Sequence, residues 1–254
     1  MILPRFIPVL LLRDRILVKT VRFNNAKYIG DPINIVRIFN EKEVDEIVLL
    51  DINASAQNRQ PNYELIEAIA SECFMPMAYG GGIGTAQQAR DLLSLGIEKI
   101  VINTQAIHDP SRVEAIAAAA GSQSVVVSID VKQRLFGDYE VMTSSGRIRT
   151  KIDPATCGRR MQEHGAGELL INSIDRDGTM QGYDLELIRS VSEAVELPVI
   201  ACGGAGSVED LGNALKQGGA SAAAAGSLFV FHGKYRAVLV NYPTPAQLKQ
   251  AVCL

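Results

Sequence analysis

Three aspartates and two glycine-rich turns carry the chemistry open to this chain. Asp51, Asp130 and Asp177 fall at or just beyond the ends of apolar runs. A carboxylate there is costly unless it has a partner or a task, and one whose surroundings set its pKa near neutrality can shuttle protons. Gly80-Gly81-Gly82-Ile83-Gly84 and Gly203-Gly204-Ala205-Gly206 each close an apolar run and open a helix pattern. Such turns present backbone N–H groups to an anion. Each is followed one strand later by a small polar pair, Asn103-Thr104 and Gly226-Ser227. Gly81, Gly82, Asn103 and Thr104 would form one cradle, and Gly178, Gly203, Gly204, Gly226 and Ser227 the other. Two matching cradles imply a ligand with a phosphate at each end. Tight-turn glycines without a ligand would account for either turn alone. Asp51 also reads as a carboxylate that pins a loop, and Asp175 and Asp177, flanking Arg176, as a surface ion pair.

The turns belong to a repeat half a chain long. Leu49-Leu50-Asp51 answers Leu170-Ile171-Asn172, and Val9-Leu10-Leu11 answers Ser128-Ile129-Asp130. One half therefore ends its first strand in an acid, and the other ends it in Leu11. An aliphatic side chain cannot exchange a proton, so this asymmetry is the main functional signal in the chain.

The elements that must position these residues alternate. Buried strands are predicted at Phe6–Leu11, Glu46–Asp51, Phe74–Tyr79, Lys99–Asn103, Val125–Asp130, Glu168–Asn172, Val199–Cys202 and Ala222–Gly226, apolar at most positions as strands buried on both faces are. Helices are predicted at Pro32–Asn40, Asn62–Ser71, Ala86–Leu95, Arg112–Ala119, Cys157–His164, Leu185–Ala194, Val208–Gln217 and Pro245–Ala251. Asp-Pro pairs at 31–32, 109–110 and 153–154 read as caps with proline at the first helical position. Eight strand–helix units in 254 residues match a (β/α)8 TIM barrel built from two half-barrel repeats, one domain over residues 1–254. A doubly wound open sheet is the alternative. The long connections 13–30 and 131–152 are expected on the active-site face.

Net charge is −3 and tryptophan is absent, so nothing points to nucleic acid. The apolar stretch 7–12 is too short to span a membrane, is broken by Pro8 and lacks a cleavage site, so it reads as a strand. Cys73, Cys157, Cys202 and Cys253 show no metal-ligand spacing, which fits free thiols in a reducing cytoplasm with no metal and no cofactor. Cys202 has no histidine neighbour and reads as a small buried residue. His108, His164 and His232 are scattered and read as surface or capping residues.

Gly30-Asp31-Pro32, 49–55, Gly80–Ile83, Ile102-Asn103-Thr104, Gly121-Ser122-Gln123, Ile129-Asp130, 165–168, Ser173–Gly178 and Gly203–Gly206 occur in order. Over residues 1–232 the chain resembles the HisF family, the cyclase subunit of imidazole glycerol phosphate synthase. The resemblance implies a barrel that pairs with a HisH-like glutaminase at its N-terminal face. Ammonia would travel along the axis to a bis-phosphorylated ribonucleotide at the top, where an imidazole ring closes. One of the family's two acids matches Asp130, and the other falls at Leu11. Arg5, Glu46, Lys99 and Glu168 match the family's ammonia gate, and Lys19 its substrate-loop lysine. Asp51, Asn172 and Asp177 would join the substrate site, although Asn172 and Cys202 stand where the family more often has a hydroxyl. The segments 229–233 and 238–243 resemble a side branch found with surface-polysaccharide genes, in which ammonia would pass to a third, sugar-modifying amidotransferase. Conduit subunit, true cyclase and, more distantly, sugar-phosphate isomerase are the open readings.

Overall fold

The computed structural model describes residues 4–135 and 137–253. Among these, eight parallel strands close into a barrel: β1 (Arg5–Arg13), β2 (Ile47–Asp51), β3 (Met77–Gly80), β4 (Lys99–Ile102), β5 (Val125–Gln133), β6 (Glu168–Ser173), β7 (Val199–Cys202) and β8 (Ala222–Ala225). Neighbours in sequence pair, and the ring closes where β8 runs beside β1, with Arg5 opposite Ala222 and Pro8 opposite Ala225. The halves meet at β4 and β5, with Ile102 opposite Val127, and within the second half Asn172 of β6 lies opposite Asp130 of β5. The barrel is the predicted fold, and the open sheet is excluded.

The repeat is visible in the helix caps. Asp31 accepts from Asn34 N at the start of α1 (Pro32–Glu41), and Asp153 from Thr156 N at the start of the fifth main helix, Pro154–Glu163. Asn62 caps Tyr63–Ala70 as Asp184 caps Leu185–Ser192. Thr85 and Gln88 form a capping box for Ala86–Ser94, as Ser207 and Asp210 do for Val208–Lys216. Each box satisfies two N–H groups that the first helical turn leaves unpaired. Asp109 does not cap the helix Ser111–Ala120. It binds the Ser111 hydroxyl and Arg112 instead, while its own N–H closes the short turn Thr104–His108.

Other bounds moved for physical reasons. β3 starts at Met77, because Pro76 has no donor for a ladder, and Phe74 is 83% exposed. β1 and β5 run on beyond the barrel because each long connection is a β-hairpin. β1 pairs with Ile16–Val21, which pairs with Asn24–Gly30; β5 pairs with Tyr139–Thr143, which pairs with Ile148–Arg149. The all-alanine β8 is a strand despite alanine's helix preference, because β1 and β7 pair with its two edges.

The core has two layers. One lies between strands and helices. The other fills the barrel lumen with Ile7, Val9, Val48, Ala78, Val101, Val126, Leu170, Ile200, Cys202, Ala222 and Ala224, and Leu11 and Leu50 pack on it. No helix among the described residues is long and apolar enough to cross a membrane.

Candidate active site and barrel floor

The C-terminal ends of the strands surround a cavity of ≈ 360 Å³. Every residue predicted for the two cradles lines it, as do Leu11, Lys19, Asp51, Asp130, Asn172 and Asp177. The barrel thus brings together side chains as far apart in the chain as Leu11 and Ser227.

Asp130 is 8% exposed. Asn103 Nδ2 donates to its Oδ2 at 2.9 Å and Asn172 Nδ2 to its Oδ1 at 3.3 Å. Burial pushes the carboxyl up to about 7; the two amide bonds oppose this, and the Asp177 charge adds to it. An acid poised there is half ionised near neutrality and can both take and give a proton. Four strands round the ring, Leu11 lies opposite Leu50 on one side and Val18 on the other. It is half-buried and holds no titratable group in the matching place.

Asp51 is a loop pin. Its Oδ1 accepts from Asn53 N and Ala54 N, both at 3.0 Å. The turn after β3 passes so close that a Cβ on Gly81 (φ +127°) would meet the Asp51 carbonyl at 2.6 Å. Its counterpart Gly204 (φ +121°) would meet the Gly182 carbonyl at 2.2 Å. Only glycine takes this backbone in this space.

Asp177 does not pair with Arg176. The first hairpin crosses the mouth and brings Lys19 Nζ to 2.7 Å from Asp177 Oδ1, and Thr20 Oγ1 donates to Oδ2 at 3.1 Å. Lys19 is 6% exposed. The tight turn Ser173–Asp177, closed by Asp177 N on Ser173 O, sends Arg176 outward towards the Gln181 carbonyl. Asp175 accepts from Gln133 N. Cys202 is free and buried. Burial and the Asp177 carboxylate push its thiol up to about 12 against the pull of Lys19, so it stays neutral. Cys73 and Cys157 are free as well, and the Cys253 side chain lies outside the described residues. His108 and His232 are exposed, and His164 lies 3.7 Å from Glu114.

At the opposite end, Arg5, Glu46, Lys99 and Glu168 form a closed ring. Arg5 pairs with both glutamates, and Lys99 reaches Glu46 at 3.1 Å and Glu168 at 2.8 Å. Burial lowers the Arg5 pKa, but the two carboxylates outweigh this and raise it. Apolar packing would stabilise a floor better than buried ions, so four paired charges here call for a role beyond stability.

Several cavity residues escaped the sequence reading. Arg13, Ser145 and Arg147 reach the mouth from the hairpins. Ser144 N donates to Thr104 Oγ1 at 3.0 Å. The second connection did carry a signal, Gly137-Asp138 and Ser145-Gly146, whereas the turns of the first use Asp14, Arg22 and Phe23 at positive φ.

The model of the family described as "Histidine biosynthesis protein" matches residues 5–236. A Pseudomonas aeruginosa protein, provisionally named imidazole glycerol phosphate synthase subunit hisF2, is 54% identical over 243 residues, 96% of this chain and 97% of its own. A provisionally named hisF3 subunit of Vibrio vulnificus is 48% identical over 253 residues, 99% and 97% of the two chains. The imidazole glycerol phosphate synthase subunit HisF of Alkaliphilus metalliredigens is 43% identical over 232 residues, 91% and 92% of the two. With this match spanning nearly the whole barrel, the chain belongs to the HisF family of histidine-biosynthesis proteins.

Proposed function

We propose that this HisF-family subunit conducts ammonia from a HisH-like glutaminase, docked on the floor, to an acceptor in amidino-sugar synthesis for a surface polysaccharide. The observation that carries the reading is Leu11 above an intact floor. The Arg5–Glu46–Lys99–Glu168 ring is complete and the lumen above it is apolar. The mouth holds one acid of neutral pKa where ring closure would use two. Ammonia is neutral and small, and a lumen narrowed by leucine and valine but relieved by Ala78, Ala222 and Ala224 offers it no charge to bind. The two cradles hold a bis-phosphorylated ligand at the mouth. Co-expression with a glutaminase of the Cys-His-Glu class tests the docking: a stable complex and stimulated glutamine hydrolysis are expected, and neither would appear if the floor has no such partner.

A second reading is a working cyclase in histidine biosynthesis. Asp130 at about 7, Lys19 in the mouth and both cradles support it. Ammonia-dependent turnover of the ribonucleotide by the purified chain separates the two, since the conduit reading expects little.

A further inference from the structure

The short hairpin after β8, Phe231–His232 with Ala237–Val238, puts an arginine behind the second glycine turn. Arg236 Nη2 donates to the Gly178 carbonyl and, at 3.3 Å, to the Ser227 hydroxyl. One guanidinium thereby ties the loop after β6 to the loop after β8. Its Nε is buried and has no hydrogen-bond partner among the described residues. The Phe231 ring lies 5.1 Å from Cζ, and Lys27 Nζ lies 5.0 Å from the same ring and donates to the Arg236 carbonyl at 2.8 Å. Arg236 itself has φ +52°, a left-handed conformation that a non-glycine residue adopts only when its surroundings hold it there.

A guanidinium is donor-only. The Ser227 oxygen therefore accepts from Arg236, and its own O–H must donate elsewhere. Ser227 lines the cavity with Gly204 and Gly226, so that hydroxyl is left to donate into the cavity. The first turn differs. Thr104 Oγ1 accepts from Ser144 N and donates to Asn103 Oδ1 at 3.4 Å, so both of its roles are taken within the protein.

We propose that Arg236 is a positioning residue that makes the second turn the tighter phosphate-binding end, by aiming the Ser227 hydroxyl at the ligand and adding positive charge behind Gly178 and Ser227. Donor and charge together select a ligand end that only accepts hydrogen bonds, a phosphate dianion over a sugar hydroxyl. This rests on the two-phosphate ligand proposed above.

The test titrates the full chain with inorganic phosphate and follows the amide resonances of Gly81 and Gly82 against those of Gly204 and Gly226. The wild type is expected to bind more tightly at the second turn. Arg236→Gln should weaken that turn alone, about tenfold, on the scale of one charge-assisted hydrogen bond, and flatten its salt dependence. Arg236→Lys should restore most of the binding. Ser227→Ala should weaken the same turn, and Arg236→Gln should cost less in that background than in the wild type, keeping only the loss of charge. Unchanged binding at the second turn in Arg236→Gln, an equal loss at both turns, or additive effects of the two substitutions would overturn the inference. Absence of phosphate from both turns of the wild type would overturn the ligand reading and this inference with it, whereas phosphate at both turns with Arg236→Gln silent overturns the inference alone.

Discussion

Replacing Leu11 by aspartate returns to the end of β1 the acid that β5 carries as Asp130. A positioned general acid or base contributes about 10²–10⁴-fold, so Leu11→Asp should raise ammonia-dependent cyclisation by up to that factor if the rest of the mouth is competent. The substitution has two costs. Leu11 packs on the top of the lumen beside Leu50, and exchanging that contact for a partly buried carboxylate should destabilise the fold by about 1–3 kcal/mol. A second carboxylate in the same mouth also pushes Asp130, already at about 7, further up, which moves the pH dependence of any turnover in the alkaline direction. The assay uses the purified chain, an ammonium salt at raised pH and the bis-phosphorylated ribonucleotide, with Leu11→Asp and Leu11→Asp/Asp130→Asn beside the wild type. The gain should vanish in the double variant. The reasoning fails if the wild type already turns over at the rate of Leu11→Asp and loses it with Asp130→Asn, because Leu11 would then be no handicap.

Asp130 should also weigh on stability. Its folded pKa lies above the ordinary 3.8, so the native state binds the extra proton and stability falls as pH rises from about 4 to about 7. Asp130→Asn should therefore raise the melting temperature above pH 7, by up to roughly 4 kcal/mol in stability, and change it little near pH 4; equal shifts at both pH values would contradict the buried-acid assignment. Lys19→Met leaves Asp177 buried without its cation, and urea melts should show a loss of about 3 kcal/mol, with faster proteolysis in the first hairpin; an unchanged midpoint would mean that the pair is not formed in solution. Glu168→Ala leaves Arg5 and Lys99 sharing one carboxylate; it should cost about 1–3 kcal/mol, given the partial exposure of the two bases, and uncouple glutamine hydrolysis from ammonia delivery, as measured by ammonia lost to the medium.

The architecture was legible where one residue's chemistry sets local structure. Asp31-Pro32 and Asp153-Pro154 start helices because side chain and ring each satisfy a backbone requirement within four residues. Asp109-Pro110 shows the limit: the same pair lost its cap to the side chains of Ser111 and Arg112, two and three residues on. The hairpins in both long connections were not predicted. The first hairpin turns through Asp14, Arg22 and Phe23 at positive φ, where a sequence reader looks for glycine or Asn-Gly, while the second carries Gly137 and Gly146 at positive φ beside Ser144 and Ser145, a signal that was passed over. At the mouth, the cradle glycines could be found because the repeat marks them twice, and Asp130 because it ends an apolar strand whose counterpart ends in Leu11. The Lys19–Asp177 pair could not, since the bond spans the barrel and neither residue has a periodic signature. Arg236 had no motif at all; only the hairpin fold brings it under Ser227.

The seam between β8 and β1 sets a schedule for synthesis. The lower part of β1, residues 5–8, finds its partner only at residues 222–225, almost the last strand to leave the ribosome. The upper part of the same edge is already covered by its own hairpin, with Leu11 opposite Val18. At about 5–20 residues per second, the exposed segment waits on the order of 10–40 seconds with unpaired backbone groups, an invitation to neighbouring nascent chains. Along that segment Phe6, whose N–H is held by Asp45, and Pro8 face β2, so the groups left waiting for β8 are those of Arg5 and Ile7. The first strand to be made is thus the last to be fully paired, and the barrel is sealed only when residues 222–225 arrive.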